Sequence, residues 1–308
     1  FAMINTQNIA ARLAASQDPG RYGHLITGLM RGELFGATAL SEPGAGSDFS
    51  GIVTRAEKTA DGWLLNGTKG WITNTAIADI FIVYAQTSPG AGWRGIASFL
   101  VDARAPGFER GDIYQLMGGH AIGAGEFQLR NFAVDTRDML APPGEAFKQA
   151  MALVNGARAY VASMCCGMIA DALDRALVYG GERMAFGQPV VNNQGLMWSL
   201  TEVLTDLEAL RALSNKTGRI IDTGKDPTLA AAVAKKYAGR VTVPAITACI
   251  QAMGANGLRE ENALGRHLAC AKIAAYTDGS TEMMNERIGA SLRAGMNKAT
   301  TSRELHTP

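Results

Sequence analysis

Three patterns of apolar and polar positions follow one another along this chain. Residues 1–35 read as helical: an alanine-rich stretch at 9–15, an Asp18-Pro19-Gly20 break, then 24–31. Residues 36–142 read as strands. Residues 62–65 follow an Asp61-Gly62 turn, and 79–84 is a short apolar run with polar flanks. Residues 95–101 and 126–129 continue the theme until Ala141-Pro142-Pro143-Gly144 interrupts it. From Glu145 onward the pattern is helical again. Leu196, Leu200, Val203, Leu207 and Leu210 recur at steps of four and three, one face of a helix. Residues 146–179 and 228–254 are also helix-compatible, and loops at 180–193, 222–226 and 254–260 suggest an antiparallel bundle. Helices, then strands, then helices predict an α+β architecture, not alternating βαβ units, and count against a Rossmann fold.

Composition narrows the function. A chain of 308 residues allows about two domains at roughly 150 each. With 47% apolar and 19% charged residues, wholesale disorder is excluded. The balance of 29 Lys+Arg against 28 Asp+Glu leaves +1, which argues against nucleic acid or an acidic membrane surface as the main partner. No apolar run is expected to reach the roughly 18 residues of a membrane span. Cys165, Cys166, Cys249 and Cys270 form no CxxC pair, and His24, His120, His267 and His306 fall in no ligand spacing. Buried thiols in a reducing compartment are expected, with no metal. The start at Phe1 has neither the basic nor the long apolar segment of a signal peptide and lacks an initiator Met, so a missing first part is expected.

Four motifs carry candidate chemistry. In Ser41-Glu-Pro-Gly-Ala-Gly-Ser-Asp48, Gly44 and Gly46 allow a sharp turn and close approach to a ligand, with Ser47 as donor. As a dinucleotide fingerprint it lacks the third glycine; the plain alternative is a surface turn. In Gly67-Thr-Lys-Gly-Trp-Ile-Thr-Asn74, Trp71 and Thr73 share one face of a strand, an indole and a hydroxyl that suit a flat heteroaromatic ring. The alternative is a strand with a core Trp. In Glu182-Arg-Met-Ala-Phe-Gly-Gln188, Arg183 can pair bidentately with phosphate or simply cap a helix end. In Thr277-Asp-Gly-Ser-Thr-Glu282, Asp278 is a base if held in a dry pocket; the plain alternative is a helix N-cap, and both roles can hold in the same turn.

Taken in order, these motifs resemble the acyl-CoA dehydrogenase family. The resemblance adds Gln194 after the Arg183 motif, Gln251-Ala-Met-Gly-Ala-Asn-Gly257, and the 101–108 and 132–135 stretches, and runs from about residue 10 to 295. It implies an incomplete N-terminal helical domain at 1–35, a middle β-domain at 36–142 and a C-terminal four-helix bundle at 143–308. It also implies FAD. Leu40, Ser41 and Ser47 would line the flavin and thioester site, and Trp71 and Thr73 would cover the isoalloxazine. Arg183, Phe186, Gln251 and Gly254 would contact FAD across a subunit interface, with Asn193, Gln194, Ser280 and Glu282 also at the cofactor. Arg158 and Gly279 would lie at the substrate, and Asp278 would be the catalytic base. An acyl-CoA or acyl-carrier-protein thioester, an electron-transfer flavoprotein, a homodimer or homotetramer, and a cytoplasmic or mitochondrial-matrix location are implied with them.

The chain departs from the family at informative places. The usual base is Glu, so Asp278 draws the carboxylate back by one C–C bond, about 1.5 Å. Some relatives place a Glu where Ala157 stands; Ala255 replaces a glycine and His120 an arginine. An aspartate base also fits a nitroalkane oxidase of this fold. A flavin monooxygenase needs no base at this turn, and a flavin-free scaffold needs none of Trp71, Thr73, Arg183 and Phe186.

Overall fold

The computed structural model describes residues 2–304, so His306 lies outside the described residues. The chain divides into two compact units at Met151/Ala152.

The first unit opens with helices α1 (Ala2–Ala14) and α2 (Gly23–Arg31). Eight strands follow: β1 (Gly36–Ala39), β2 (Arg55–Lys58), β3 (Gly62–Ile72), β4 (Ile80–Gln86), β5 (Ile96–Asp102), β6 (Phe108–Ile113), β7 (Gly125–Asp135) and β8 (Met139–Ala141). They form one mixed sheet in the order β6-β7-β3-β2-β4-β5-β8, with β1 beside β4 in parallel. The apolar run at 80–85 is buried on both faces. Ile80, Ile82 and Tyr84 pack with Ile9, Leu13, Leu25 and Leu29 of the two helices, while Phe81, Val83 and Ala85 pack with Phe99, Phe127 and Leu129. The junction of α1 with β1 requires Gly36, because a Cβ there would lie 2.6 Å from Ile9. The first turns of a third helix, α3 (Glu145–Glu182), also belong to this unit.

The second unit carries the rest of α3, then α4 (Gln194–Asp222), α5 (Thr228–Met253), α6 (Leu264–Tyr276) and α7 (Thr281–Glu304). The predicted face of α4 is the buried one: Leu200, Val203, Leu207 and Leu210 are all in the core. Helices α4, α6 and α7 all pack on α5. That packing explains a departure from expectation. The stretch Thr228–Leu258 does have the length and apolarity of a membrane span, but it is the centre of this bundle. The expected loop at 180–193 is more ordered than predicted, containing strands β9 (Met184–Ala185) and β10 (Gln188–Pro189) as a hairpin. Cys165, Cys166 and Cys249 are buried free thiols.

Candidate active site

In the first unit the segment after β1 is fixed against β3. Lys69, fully buried, donates from Nζ to the Leu40 carbonyl (3.1 Å) and to Glu42 Oε1 (2.9 Å). The Gly70 N–H donates to the Ser41 carbonyl. Glu42 also accepts from the N–H groups of Val53 (2.7 Å) and Thr54 (3.0 Å). Burial opposes the Glu42 charge, but Lys69 and these donors outweigh it and hold its carboxyl below the usual range. Burial brings Lys69 down to about 8 against the pull of Glu42. Leu40 and Ser41 are thus pinned on both sides, while Ser47 stays exposed beyond them. Gly44 and Gly46 have no positive φ, so the turn itself does not demand glycine; a Cβ at either would meet nothing within 4 Å. What they offer is bare, approachable backbone.

Trp71 does not sit in regular strand geometry as predicted. A bulge interrupts the pairing of β3 with β7 between Lys69 and Ile72, and Trp71 has φ +61°. Simple alternation therefore fails there. Its indole is 61% exposed and packs beside Tyr114 at 4.5 Å between centroids. Thr73 is half-buried, held by its neighbour Asn74, which turns the chain at φ +69° and donates from Nδ2 to the Gly36 carbonyl (2.9 Å).

In the second unit the turn between α6 and α7 carries Asp278 and Gly279, with φ +56° and +100°. Asp278 is not the N-cap of α7. Ser280 takes that place, its Oγ accepting from the Met283 N–H at 3.5 Å, and its hydroxyl also holds the exposed Glu282 carboxyl below the usual range. Two buried cations grip the turn. Arg158 donates from Nε to the Asp278 carbonyl (3.0 Å) and from Nη1 to Asn155 (2.8 Å). Lys235 donates from Nζ to the carbonyls of Ala275 (3.2 Å) and Gly279 (2.5 Å). Among the described residues no hydrogen bond reaches the Asp278 carboxylate. Burial pushes it up to about 6, against the opposing pull of Lys235 and Arg158. Burial likewise brings Lys235 down to about 8 and lowers Arg158. So the structure brings Arg158, Asp278 and Gly279 into one turn, and Lys235 joins them unforeseen. Its signal was a lysine on the buried stripe Ala231, Ala234, Ala238, Thr242 of α5.

The other expected contacts form separate places in this unit. Arg183 leads into the β9–β10 hairpin, whose central residues Phe186 and Gly187 both have positive φ, a type I′ turn. Phe186 is 98% exposed, and the Arg183 guanidinium has no partner among the described residues. Asn193 precedes α4 and bonds the Val190 carbonyl, leaving Gln194 exposed. Gln251 is exposed in the last turn of α5, which Gly254 closes at φ +57°, ψ −144°, a conformation suited to glycine. No hydrogen bond links these places to the Asp278 turn among the described residues. Within the second unit, a guanidinium unpaired among the described residues, the exposed Phe186 ring and the exposed amides of Gln194 and Gln251 are groups suited to a pyrophosphate and a flat ring, as FAD has. Within the first, the exposed Trp71 ring and the open backbone at Gly44 and Gly46 are suited to the same kind of ligand.

Two protein families match the chain: the acyl-CoA dehydrogenase middle domain over residues 37–132 and the acyl-CoA dehydrogenase C-terminal domain over 144–293. A short-chain specific acyl-CoA dehydrogenase from Megasphaera elsdenii is 36% identical over 265 residues, covering 86% of this chain and 69% of that protein. The solved structure of butyryl-CoA dehydrogenase from the same organism superimposes with TM-score 0.88 at 34% identity, covering 92% of this chain and 74% of that one. The FAD complex of PigA gives TM-score 0.83 at 25% identity, covering 92% and 74%. This chain spans as little as 61% of the length of curated relatives it matches.

Proposed function

Because this chain belongs to the acyl-CoA dehydrogenase family, we propose that it is an FAD-dependent acyl-thioester dehydrogenase with Asp278 as its base. The observation that carries this reading is the Asp278 carboxylate itself. It is half-buried, free of hydrogen bonds among the described residues, and poised at about 6. A base near the working pH is mostly ionised yet still binds a proton well. A thioester α-hydrogen is weakly acidic, and Asp278 takes it. FAD, when bound, supplies the acceptor for the β-hydrogen as hydride. Arg158 and Lys235 hold the turn so that the carboxylate presents one geometry. Leu40, Ser41, Ser47, Trp71 and Thr73 in the first unit, and Arg183, Phe186, Asn193, Gln194, Gln251, Gly254, Ser280 and Glu282 in the second, would hold the cofactor, with Gly279 beside the substrate.

The thioester carrier is CoA or an acyl carrier protein, the electron acceptor an electron-transfer flavoprotein, and the working assembly a homodimer or homotetramer. The compartment is the cytoplasm, or the mitochondrial matrix for a eukaryotic source. The test is anaerobic bleaching of the FAD-loaded protein by a panel of saturated acyl-CoA and acyl-carrier-protein thioesters. One thioester should bleach the flavin. Asp278→Asn should slow that bleaching by about 10²–10⁴-fold while still binding FAD. Full turnover by Asp278→Asn would sink the assignment, and bleaching by nitroalkanes alone would move it to a different chemistry.

A further inference from the structure

Lys235 is 3% exposed in the middle of an apolar helix, yet its ammonium faces no carboxylate within salt-bridge distance among the described residues. Burying a charge is costly unless it is bonded, so its two acceptors matter. One is the Ala275 carbonyl in the last turn of α6, where a helix leaves carbonyls without partners. The other is the Gly279 carbonyl, just before α7 begins. The two acceptors bracket Tyr276, Thr277 and Asp278. At the end of that bracket Asp278 and then Gly279 have positive φ, and Asp278 is not glycine. Such a backbone persists only where its surroundings over-determine it. Arg158 fixes the third carbonyl, that of Asp278 itself.

We propose that Lys235 is a positioning residue for Asp278: by tying the Ala275 and Gly279 carbonyls together it fixes the backbone on both sides of the base. This rests on the dehydrogenase reading only for its kinetic part. Lys235 takes both ends of the turn and Arg158 its middle, so all three carbonyls are held while, among the described residues, nothing bonds the Asp278 carboxylate oxygens. The division of labour has a consequence for charge as well. The groups that bear on this place are Arg158 and Cys165 from α3 and Glu282 from α7, with Arg287 of α7 acting on Arg158. Removing the lysine charge leaves Arg158 alone to favour ionised Asp278.

The test uses FAD-loaded protein and the variants Lys235→Met, Lys235→Gln and Lys235→Arg. Hydrogen exchange of the amides from 277 to 284 reads the turn without any substrate. In Lys235→Met they should exchange about tenfold faster or more, while the α4 amides at 200–210 stay as in the parent. Kinetically, kcat for the bleaching thioester should fall about 10²-fold with little change in KM. The acid limb of its pH profile should move up by about half a unit or more. Lys235→Gln keeps donors without charge, so it should recover part of kcat but none of the limb. Lys235→Arg should recover most of both. Unchanged exchange of 277–284 in Lys235→Met overturns the proposal. So does equal acceleration in α4, which marks a merely structural lysine. If Lys235→Met does not fold, the same readings on Lys235→Gln decide. If no thioester bleaches the parent protein, the dehydrogenase reading fails, and the exchange result still decides the role of Lys235.

Discussion

Each unit sets a carboxylate beside a buried lysine, Glu42 fully enclosed and Asp278 half-buried, and the two are used in opposite ways. In the first, Lys69 bonds Glu42 directly and two backbone amides complete the carboxylate's shell. The result is a charge held below its ordinary range, inert and structural. In the second, Lys235 and Arg158 bond backbone carbonyls, and Asp278 receives only their field. Its carboxyl rises to about 6. Both clusters set a carboxylate among buried cations, Glu42 with Lys69 and Asp278 with Lys235 and Arg158; what differs is which oxygen atoms the cations hold. A saturated carboxylate fixes a loop, and an unsaturated one is free to take a proton. That contrast, more than burial alone, separates a scaffold ion pair from a base.

The strongest way to break the contrast is Lys69→Met. It strands a buried Glu42 charge, and breaking one side of a buried pair costs about 3–5 kcal/mol. Thermal unfolding should show a large loss, and FAD retention should fall as Leu40 and Ser41 come loose. The double variant Lys69→Met with Glu42→Gln should recover much of the stability, because no uncompensated charge remains. A loss below about 1 kcal/mol in the single variant would mean that the pair does not hold this part of the fold together.

The sequence carried the architecture better than the ion chemistry. The apolar period of 196–210 and the short apolar run at 79–84 are local patterns, and each lies in an element of the expected type. The motif order carried the family. The Glu42–Lys69 pair was not legible, since 27 residues separate its members and only the sheet brings them together. Trp71 departs from the expected alternation because a bulge is an irregularity of pairing, which one strand's pattern does not reveal. The cap of α7 is Ser280, two residues beyond Asp278, because only the fold shows where the helix begins.

The next effect is smaller and has the opposite sign. Asp278 has a folded value of about 6 against an ordinary 3.8. A carboxyl raised in this way contributes stability that is fully present below about pH 3.8 and lost as pH rises through about 6. Asn carries no such loss. Asp278→Asn should therefore be more stable than the parent at pH 8, by about 1–2 kcal/mol after allowance for partial solvent access. The gain should vanish by about pH 4. Glu42 runs the other way: its lowered value stabilises at neutral pH and is lost as acid protonates it. Unfolding midpoints of Asp278→Asn and Glu42→Gln across pH 4–8 should thus diverge with opposite slopes. Parallel curves would erase the distinction between the two carboxylates.

The smallest effect asks whether the second cluster leans on a support that the first does not have. Lys69 needs nothing beyond Glu42 and one carbonyl, because its partner carries the balancing charge. Arg158 has only neutral acceptors, so its direction depends on Asn155, which accepts from Nη1 and itself donates from Nδ2 to Thr228 Oγ1 (2.9 Å) at the start of α5. Asn155→Ala removes a link in that chain, and should cost about 1 kcal/mol in unfolding. Its kinetic mark should be specific. With one acceptor gone, Arg158 swings more freely about the Asp278 carbonyl, and kcat should fall by less than about tenfold with FAD content unchanged. Combined with Arg158→Lys, which cannot serve both acceptors in the same planar fork, the losses should be less than additive, since both variants disable one link. Full additivity would mean that Asn155 and Arg158 act on the turn independently. A loss as large as that of Lys69→Met would mean that the second cluster is as much a structural ion site as the first.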